Sequence, residues 1–255
     1  MDTNRSIEAL SKCWWSATDV NFTRFFGMKE QNPFEEKEVA EQWILSVESE
    51  KGMIRDNETY PALHAWFLST DKGVVLEIGS GQGICSSKIE GYGHYIGIEP
   101  SAFLVTRAKE LYESPLREFL VGDAYHLPKN NGSCDAVFSV NVWFHLEDVH
   151  RASKELFRVL KNKGKFFIHT ADRDAFNVWK SFYTNATIQG KKVTGTVSGP
   201  GIYQTTNIFY GHTNEEVIEA LEKAGLTVSK ITKLGTLKDS TTIFIAIEGE
   251  KRDYP

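Results

Sequence analysis

The chain has 255 residues, a formal net charge of −5 and three cysteines. This length fits one sizeable α/β domain with additions, or two small domains. The acidic balance and the lack of a Lys/Arg block disfavour a nucleic-acid partner held through its phosphate backbone. No apolar run reaches the roughly 18 residues of a membrane span, and the N-terminus lacks the apolar core of a signal peptide.

The cysteines Cys13, Cys85 and Cys134 are widely spaced and odd in number. No Cys or His cluster has the spacing of a zinc site, so we expect no metal. Reduced thiols and the lack of a signal peptide predict a cytoplasmic protein. The sequence leaves the oligomeric state open, a homodimer included.

Residues 1–70 are predicted to form a helical N-terminal arm. Apolar residues recur at helical spacing over 7–14 and 39–47, and a third short helix is expected over Tyr60–Ser69. The start of the arm is rich in aromatic residues, which serve either as core anchors or as a hydrophobic lid over a ligand. These residues are Trp14, Trp15, Phe22, Phe25 and Phe26.

From Gly73 the pattern alternates between strands and helices. Strands are predicted at Val74–Gly79, His94–Glu99, Glu118–Val121, Asp135–Val142 and Lys165–His169, with helices expected at 82–90, after Ser101 and over 149–160. Repeated βα units of this length predict a doubly wound, mostly parallel sheet with helices on both faces.

The alternation is interrupted after the fifth strand. Ala175–Thr184 is predicted to be helical, and Lys191–Tyr210 to form two or three β segments. We expect residues 173–211 to be an insertion that covers a substrate. Thr213 to Glu216 then form a capping box for a helix ending at Gly225, and two closing strands follow at Leu226–Leu234 and Thr241–Glu248.

Chemistry-bearing residues follow four successive strands of the predicted sheet. The first strand, VVLEI, runs into the glycine turn Gly79-Ser80-Gly81-Gln82-Gly83, whose backbone N–H groups can hold polar ligand groups. Glu99, Asp123 and Asn141 end the next three strands. The carboxyl ends of parallel strands share one crevice, where one carboxylate can accept ribose hydroxyls and another an exocyclic amine.

Five segments resemble, in order, the motifs of class I S-adenosylmethionine-dependent methyltransferases, of the small-molecule branch that includes ubiquinone- and menaquinone-biosynthesis enzymes. They are VVLEIGSGQG, YIGIEPS, FLVGDAYHLP, CDAVFSVNVWFHLED and LFRVLKNKGKFFIH. The resemblance covers about 74–172, with a looser match from Thr213 onward. It departs from the family at Glu77, where Asp is commoner. It implies a seven-stranded sheet whose last strand is antiparallel, within a methyltransferase domain spanning 71–255.

The resemblance also implies a cofactor, S-adenosylmethionine, and residues to bind it. Glu77, on the first strand, would be one of these residues, and Gly79, Ser80, Gly81 and Gly83 would line the methionine and ribose part of the cofactor. Glu99, next to Pro100, would hold the ribose. The remaining implied contacts are Asp123, Ala124 and Tyr125 at the adenine, and Asn141 and Val142 near the sulfonium.

The resemblance implies methyl transfer to a small-molecule acceptor by in-line displacement at the sulfonium methyl, so orientation and exclusion of water would supply much of the acceleration. A hydroxyl or protonated amine acceptor needs a base. The candidate bases are His145, His169 and His212, each of which could instead be structural. Tyr203, Gln204 and Tyr210 are candidates for orienting the substrate.

Three other functions stay open at this level. The chain could bind the cofactor without catalysis, as a regulator or partner subunit. It could methylate protein or nucleic acid, although Asn141-Val142-Trp143-Phe144 lacks the prolines of amino-methylating DNA enzymes. An NAD-dependent oxidoreductase is disfavoured because Ile84 occupies the third glycine position of the dinucleotide fingerprint.

Overall fold

A computed structural model describes Phe34 and residues 36–49, 54–181, 183–198, 204–236 and 241–253. The aromatic residues at the start of the arm, together with Cys13 and Tyr203, lie outside the described residues.

The described residues form six α-helices and ten β-strands. The helices are α1 (Lys37–Ser49), α2 (Tyr60–Phe67), α3 (Ala102–Tyr112), α4 (Val149–Val159), α5 (Phe176–Ser181) and α6 (Asn214–Lys223). The strands are β1 (Val74–Ile78), β2 (His94–Glu99), β3 (Arg117–Val121), β4 (Cys134–Val140), β5 (Leu160–Ala171), β6 (Tyr183–Gln189), β7 (Lys192–Ser198), β8 (Gln204–Tyr210), β9 (Leu226–Thr236) and β10 (Thr242–Lys251). Short 3-10 turns occupy Ile84–Ser87, Trp143–His145 and Arg173–Ala175, and a π-helical turn at Arg55–Thr59 leads into α2.

Seven strands form one sheet in the order β3-β2-β1-β4-β5-β10-β9. The neighbouring pairs from β3 to β5 are parallel, whereas β10 is antiparallel to both β5 and β9. This confirms the predicted doubly wound, mostly parallel sheet. The order reverses at β1, so the carboxyl ends of β1, β2 and β4 meet at the topological switch point where α/β sheets bind ligands.

The core lies on both faces of this sheet. On one face the strands pack against α4 and α6 through residues such as Ile78, Leu156 and Leu221. On the other face α2 and α3 supply residues such as Leu63 and Val105. Alternate residues of each strand serve opposite faces, because successive side chains point to opposite sides of the pleat.

The insertion after β5 is a separate antiparallel sheet in the order β6-β7-β8. It attaches to the domain by aromatic contacts, among them Phe176 with Phe209 at 5.7 Å between ring centroids. The expected β segments are therefore confirmed, and their number is three. Among the helices that the structure describes, none is long and apolar enough to cross a membrane.

Two predicted helices are shorter than expected. Residues 82–90 contain a single 3-10 turn, because Gly83 at φ 85° and Gly91 at φ 84° interrupt any longer helix. The helix predicted over 175–184 ends at Ser181, since β6 begins at Tyr183 and the Tyr183 ring packs on Phe209 at 5.1 Å. The β-favouring Tyr and Thr side chains there join the inserted sheet instead.

The capping box predicted for α6 is present. The Thr213 hydroxyl accepts from the Glu216 backbone N–H at 3.1 Å, and the Glu216 carboxylate accepts from the Thr213 N–H at 2.9 Å.

We expect Thr213→Ala to lower the free energy of unfolding by about 1 kcal/mol, because the orphan N–H groups lose an acceptor. Urea denaturation followed by circular dichroism measures this change. Thr213→Ser is the matched control and should keep most of the stability, since it retains the hydroxyl; equal losses in both variants would contradict the capping role.

Candidate functional site

The turn after β1 has the backbone shape that its glycines predict. Gly79, Gly81 and Gly83 have φ of 74°, 52° and 85°, a region that side chains disfavour. The N–H groups of Gly79 and Ser80 both donate to the Ile98 carbonyl, at 2.7 and 3.0 Å. A Cβ atom at Gly79 would collide with the Val142 side chain. The turn is therefore fixed between β2 and the segment after β4.

Glu99 ends β2 directly beside this turn. Its carboxylate accepts from the backbone N–H of Gly81 at 3.1 Å and of Ser101 at 3.0 Å. Burial raises the pKa of Glu99 to about 7, against the lowering effect of those two hydrogen bonds. Pro100 follows it and is half-buried. The carboxylate sits where the β1 turn and the start of α3 converge.

Glu77 lies underneath the turn rather than in the crevice. Its side chain is buried and accepts a hydrogen bond from the Tyr95 hydroxyl. Burial raises the pKa of Glu77 to about 7. Burial also raises the pKa of the Cys85 thiol, and the neighbouring Glu77 raises it further. In this arrangement Glu77 supports the β1 turn from the α2 side, and Cys85 is a packed, inert thiol.

The loop after β3 presents one exposed carboxylate and two packed side chains. Asp123 accepts from the N–H groups of Tyr125 at 2.7 Å and His126 at 3.0 Å, which fixes the loop. Ala124 is buried in the core, and the Tyr125 hydroxyl accepts from the Asp148 N–H at 3.3 Å. Asp123 itself stays exposed to solvent.

The segment after β4 closes the third side of the crevice. Asn141 adopts φ 62°, a left-handed conformation that Asn tolerates better than most residues, and its N–H donates to the His169 carbonyl at 3.0 Å. Its side-chain Oδ1 is buried. Val142 is half-buried and faces Gly79.

Three buried polar atoms around the crevice have no hydrogen-bond partner among the described residues. They are Ser80 Oγ, Gln82 Oε1 and Asn141 Oδ1. Buried polar atoms are normally satisfied, so such a group indicates a place for a polar ligand or water. The sequence analysis did not select Gln82, although it belongs to the glycine turn.

A second feature, here called the aromatic cavity, lies beyond the ends of β4 and β5, beneath the inserted sheet. Its aromatic lining residues are Trp143, Phe144, Phe176, Trp179, Phe209 and Tyr210. The polar residues at its wall include Asp172, Arg173 and His212. Its free space is about 20 Å³, room for about one water molecule. Only His212 and Tyr210 were selected from the sequence, because the other residues come from separate segments that carry no common motif.

His145 connects the segment after β4 to the inserted sheet. Its Nδ1 lies 2.7 Å from the Ile208 carbonyl of β8. A carbonyl only accepts, so Nδ1 carries the proton and Nε2 keeps a lone pair. Burial lowers the pKa of His145, which keeps the ring neutral near neutral pH.

His212 is held in the same manner but with the other nitrogen. Its Nε2 lies 2.8 Å from the Leu146 carbonyl, which leaves Nδ1 with a lone pair. The pKa of His212 is lowered, mainly by burial. This ring stacks on Tyr210 with 6.1 Å between centroids and lines the aromatic cavity.

His169 is placed differently from the other two histidines. Its ring is fully buried on the α2 face of the sheet, with Nε2 3.1 Å from the Thr59 hydroxyl and the Phe244 ring at 4.5 Å. Burial lowers its pKa to about 3. We drop His169 from the candidate bases, because it neither lines the aromatic cavity nor reaches solvent. Its position in β5 sends its side chain to the opposite face from Thr170.

Among the residues described, no group of three or more His, Cys, Asp or Glu side chains could hold a metal ion.

Known proteins resemble the chain in sequence and in structure. Residues 76–168 match the family model of a methyltransferase domain. A sterol 24-C-methyltransferase of Pneumocystis carinii is 28% identical over 47% of this chain and 33% of its own length. The tRNA (carboxymethyluridine(34)-5-O)-methyltransferase ALKBH8 of Macaca fascicularis is 34% identical over 40% of this chain and 17% of its own length. The chain thus matches a third or less of these two relatives.

A solved structure shares the fold at low sequence identity. An S-adenosylmethionine-dependent methyltransferase from Clostridium acetobutylicum superposes with a TM-score of 0.65 at 11% identity, covering 83% of this chain and all of the other. The matched family model spans β1 to β5, which are the strands that build the crevice. Residues 76–168 are therefore similar to a methyltransferase domain, and the fold that contains them is shared with a solved S-adenosylmethionine-dependent methyltransferase.

Proposed function

We propose that the chain transfers the methyl group of S-adenosylmethionine to a small-molecule acceptor by in-line displacement. The observation that carries this proposal is the adjacency of two sites. The crevice at the ends of β1, β2 and β4 offers unsatisfied polar atoms and a buried carboxylate. The aromatic cavity begins directly after it, since Trp143 and Phe144 follow Asn141 and Val142 in the chain.

The crevice residues fit the cofactor that the domain family uses. Glu99 would hold the ribose hydroxyls and Asp123 the adenine amine, with Ala124 and Tyr125 beside the ring. The glycine turn, Ser80 and Asn141 would line the methionine part, and Gln82 joins them because its Oε1 is buried and unsatisfied among the residues described. When bound, the cofactor supplies a methyl group on a positively charged sulfur, which an acceptor lone pair can displace.

The small free volume of the aromatic cavity, about 20 Å³, supports a small acceptor over a macromolecule. Its walls come from the segments after β4 and β5 and from the inserted sheet, so residues 173–211 act as a substrate cover. Residues 1–70 are proposed as the arm that covers the other side. Excluding water from this space prevents side reactions that would compete with methyl transfer.

The candidate bases are His145 and His212. Both are neutral, each is held in one tautomer by a backbone carbonyl, and each keeps one lone-pair nitrogen. Such a ring can take a proton from a hydroxyl or an ammonium group of the acceptor. The lining position of His212 favours contact with substrate, whereas His145 lies between Phe144 and the inserted sheet.

The relatives support both a small acceptor and a competing one. The name of the sterol methyltransferase specifies a small molecule, whereas the name of ALKBH8 specifies tRNA. The net charge of −5 weighs against tRNA, because neutralising phosphates is the main source of affinity for nucleic acid.

The proposed function can be tested with methyl-labelled S-adenosylmethionine. The purified chain should transfer label to the small-molecule fraction of a cell extract, and not to bulk tRNA or to protein. Label that appears in tRNA would replace the small acceptor with an RNA. Binding of the cofactor without transfer to any fraction would favour a non-catalytic role.

We expect S-adenosylmethionine to bind about tenfold more tightly at about pH 8 than at about pH 6. Glu99 has a raised pKa of about 7, so it is mostly protonated at the lower pH and ionised at the higher one. Only the ionised carboxylate accepts both ribose hydroxyls, and binding is therefore gained as pH rises. Isothermal titration calorimetry across this range measures the change.

Two glutamine variants distinguish the contribution of Glu99 to cofactor binding from that of Glu77. Glu99→Gln should weaken binding at the higher pH and flatten the pH dependence. Glu77→Gln removes a carboxylate with the same raised pKa of about 7 that lies underneath the turn, and should keep most of the pH dependence. A pH dependence that follows Glu77 would overturn the ribose role of Glu99.

His145→Ala is expected to lower turnover about 100-fold if its Nε2 acts as a base, with the affinity for S-adenosylmethionine unchanged. In the wild-type chain, turnover should persist at pH values just below the ordinary titration range of histidine, because the lowered pKa keeps the His145 ring neutral there. Rates of label transfer at several pH values give both measurements. His150→Ala, at an exposed histidine at the start of α4, is the matched control and should behave as wild type. Wild-type rates in His145→Ala would remove His145 from the site.

A further inference from the structure

Asp172, which lines the aromatic cavity, carries a buried acceptor atom that lacks a hydrogen bond from any described residue. The Asp172 side chain is fully buried. Its Oδ1 accepts from the Asp174 N–H at 3.1 Å and from the Asn214 amide at 2.8 Å. Its Oδ2 has no hydrogen-bond partner within the described parts of the chain. A carboxylate oxygen removed from water without a donor is costly, so the site favours a ligand that supplies one.

Trp143, a second lining residue, carries a buried donor atom that also lacks a hydrogen bond within the described chain. The Trp143 side chain is 1% exposed, and its indole Nε1 has no acceptor among the residues that the structure describes. Trp179 also lines the cavity, but its Nε1 donates to the Ile243 carbonyl at 3.0 Å. The two indoles therefore differ in whether a described backbone carbonyl already satisfies their N–H group.

The charges around Asp172 balance. Lys233 lies 3.9 Å from Asp172 Oδ2 and 3.7 Å from Asp174, too far for a hydrogen bond to either, and its side chain is mostly exposed. The Arg173 guanidinium lies over the Phe176 ring at 3.8 Å from the centroid. The residues that line the cavity thus include one carboxylate, Asp172, and one guanidinium, Arg173, so neither a charged amine nor a carboxylate ligand gains from net charge.

We propose that the aromatic cavity binds a neutral ring compound through a hydroxyl group, which donates to Asp172 Oδ2 and accepts from Trp143 Nε1. A hydroxyl both donates and accepts, whereas an ammonium only donates and a carboxylate only accepts. The aromatic walls suit the flat apolar body of such a ring. This inference rests on the proposed function, for which it specifies the acceptor class as hydroxylated ring compounds.

The closed cavity must open to admit a ring. Its free space of about 20 Å³ holds about one water molecule, and a water there would use the same donor and acceptor that the hydroxyl would take over. Phe144, Phe176 and Trp179 are only half-buried, so they form the wall that can part. The inserted sheet holds this wall through the His145–Ile208 hydrogen bond and the packing of Phe176 on Phe209.

Four probes with one ring and different polar groups test the hydroxyl site. They are 2-phenylethanol, its methyl ether, 2-phenylethylamine and phenylacetate, titrated against the whole chain by ligand-observed NMR in the presence of S-adenosylhomocysteine. We expect the alcohol to bind about tenfold more tightly than each of the other three. Equal affinity for the ether would exclude donation to Asp172. Tightest binding of the amine or of phenylacetate would show a cation or anion site instead, and no binding by any probe would overturn the proposal.

Two tryptophan variants of equal size change test the donor. In Trp143→Phe the preference for the alcohol over the amine should fall by about fivefold or more, because the amine never used the indole N–H. In Trp179→Phe that preference should persist, since the Trp179 N–H donates to the Ile243 carbonyl. A preference that persists in Trp143→Phe overturns the proposal. If Trp143→Phe does not fold, the four wild-type affinities decide alone.

Calorimetry with S-adenosylmethionine distinguishes this inference from the function on which it rests. Cofactor binding without a preference for the alcohol overturns the cavity assignment and leaves methyl transfer standing. Absence of cofactor binding removes the proposed function itself.

Discussion

Two hydrogen bonds to a single carbonyl determine the geometry of the crevice at the ends of β1, β2 and β4. The Ile98 carbonyl accepts from Gly79 and Ser80, which ties the turn after β1 to the end of β2. That constraint brings the turn to Glu99, whose carboxylate accepts from the N–H groups of Gly81 and of Ser101, the N-cap residue of α3. The left-handed glycines allow this closure. Glu77 and Tyr95 then fill the space beneath the turn, so the crevice stands on a packed base rather than on a mobile loop.

The donor half of the site could be predicted from sequence because its geometry is local to each strand end. A strand that runs into glycines, and acids that end the next two strands, determine which residues meet once the sheet is parallel. The capping box before α6 is equally local and was predicted correctly. Glu77 shows the limit of this reasoning. Its position on β1 could be predicted from the sequence. Its side chain, however, faces the core, where it accepts a hydrogen bond from the buried Tyr95 hydroxyl.

The acceptor half could not be predicted in this way, because it depends on contacts between distant segments. Trp143, Asp172 and Phe209 reach one cavity only through the docking of the inserted sheet. The helix predicted over 175–184 gave way to β6 because pairing with β7 and packing on Phe209 outweigh local helix preference. His169 was selected from its place at a strand end, whereas the pleat directs its ring to the opposite face.

The boundary between the two halves has an evolutionary consequence. The segment that matches the methyltransferase family model ends at Ile168, three positions before the last residue of β5 and just ahead of Asp172. Much of the cavity wall is thus encoded after the shared segment, from the end of β5 through α5 to the end of β8 and the start of α6. Substitutions or length changes in these later segments can reshape the aromatic cavity while the crevice stays intact. Under the proposed function, the acceptor can therefore change without a change in the cofactor site.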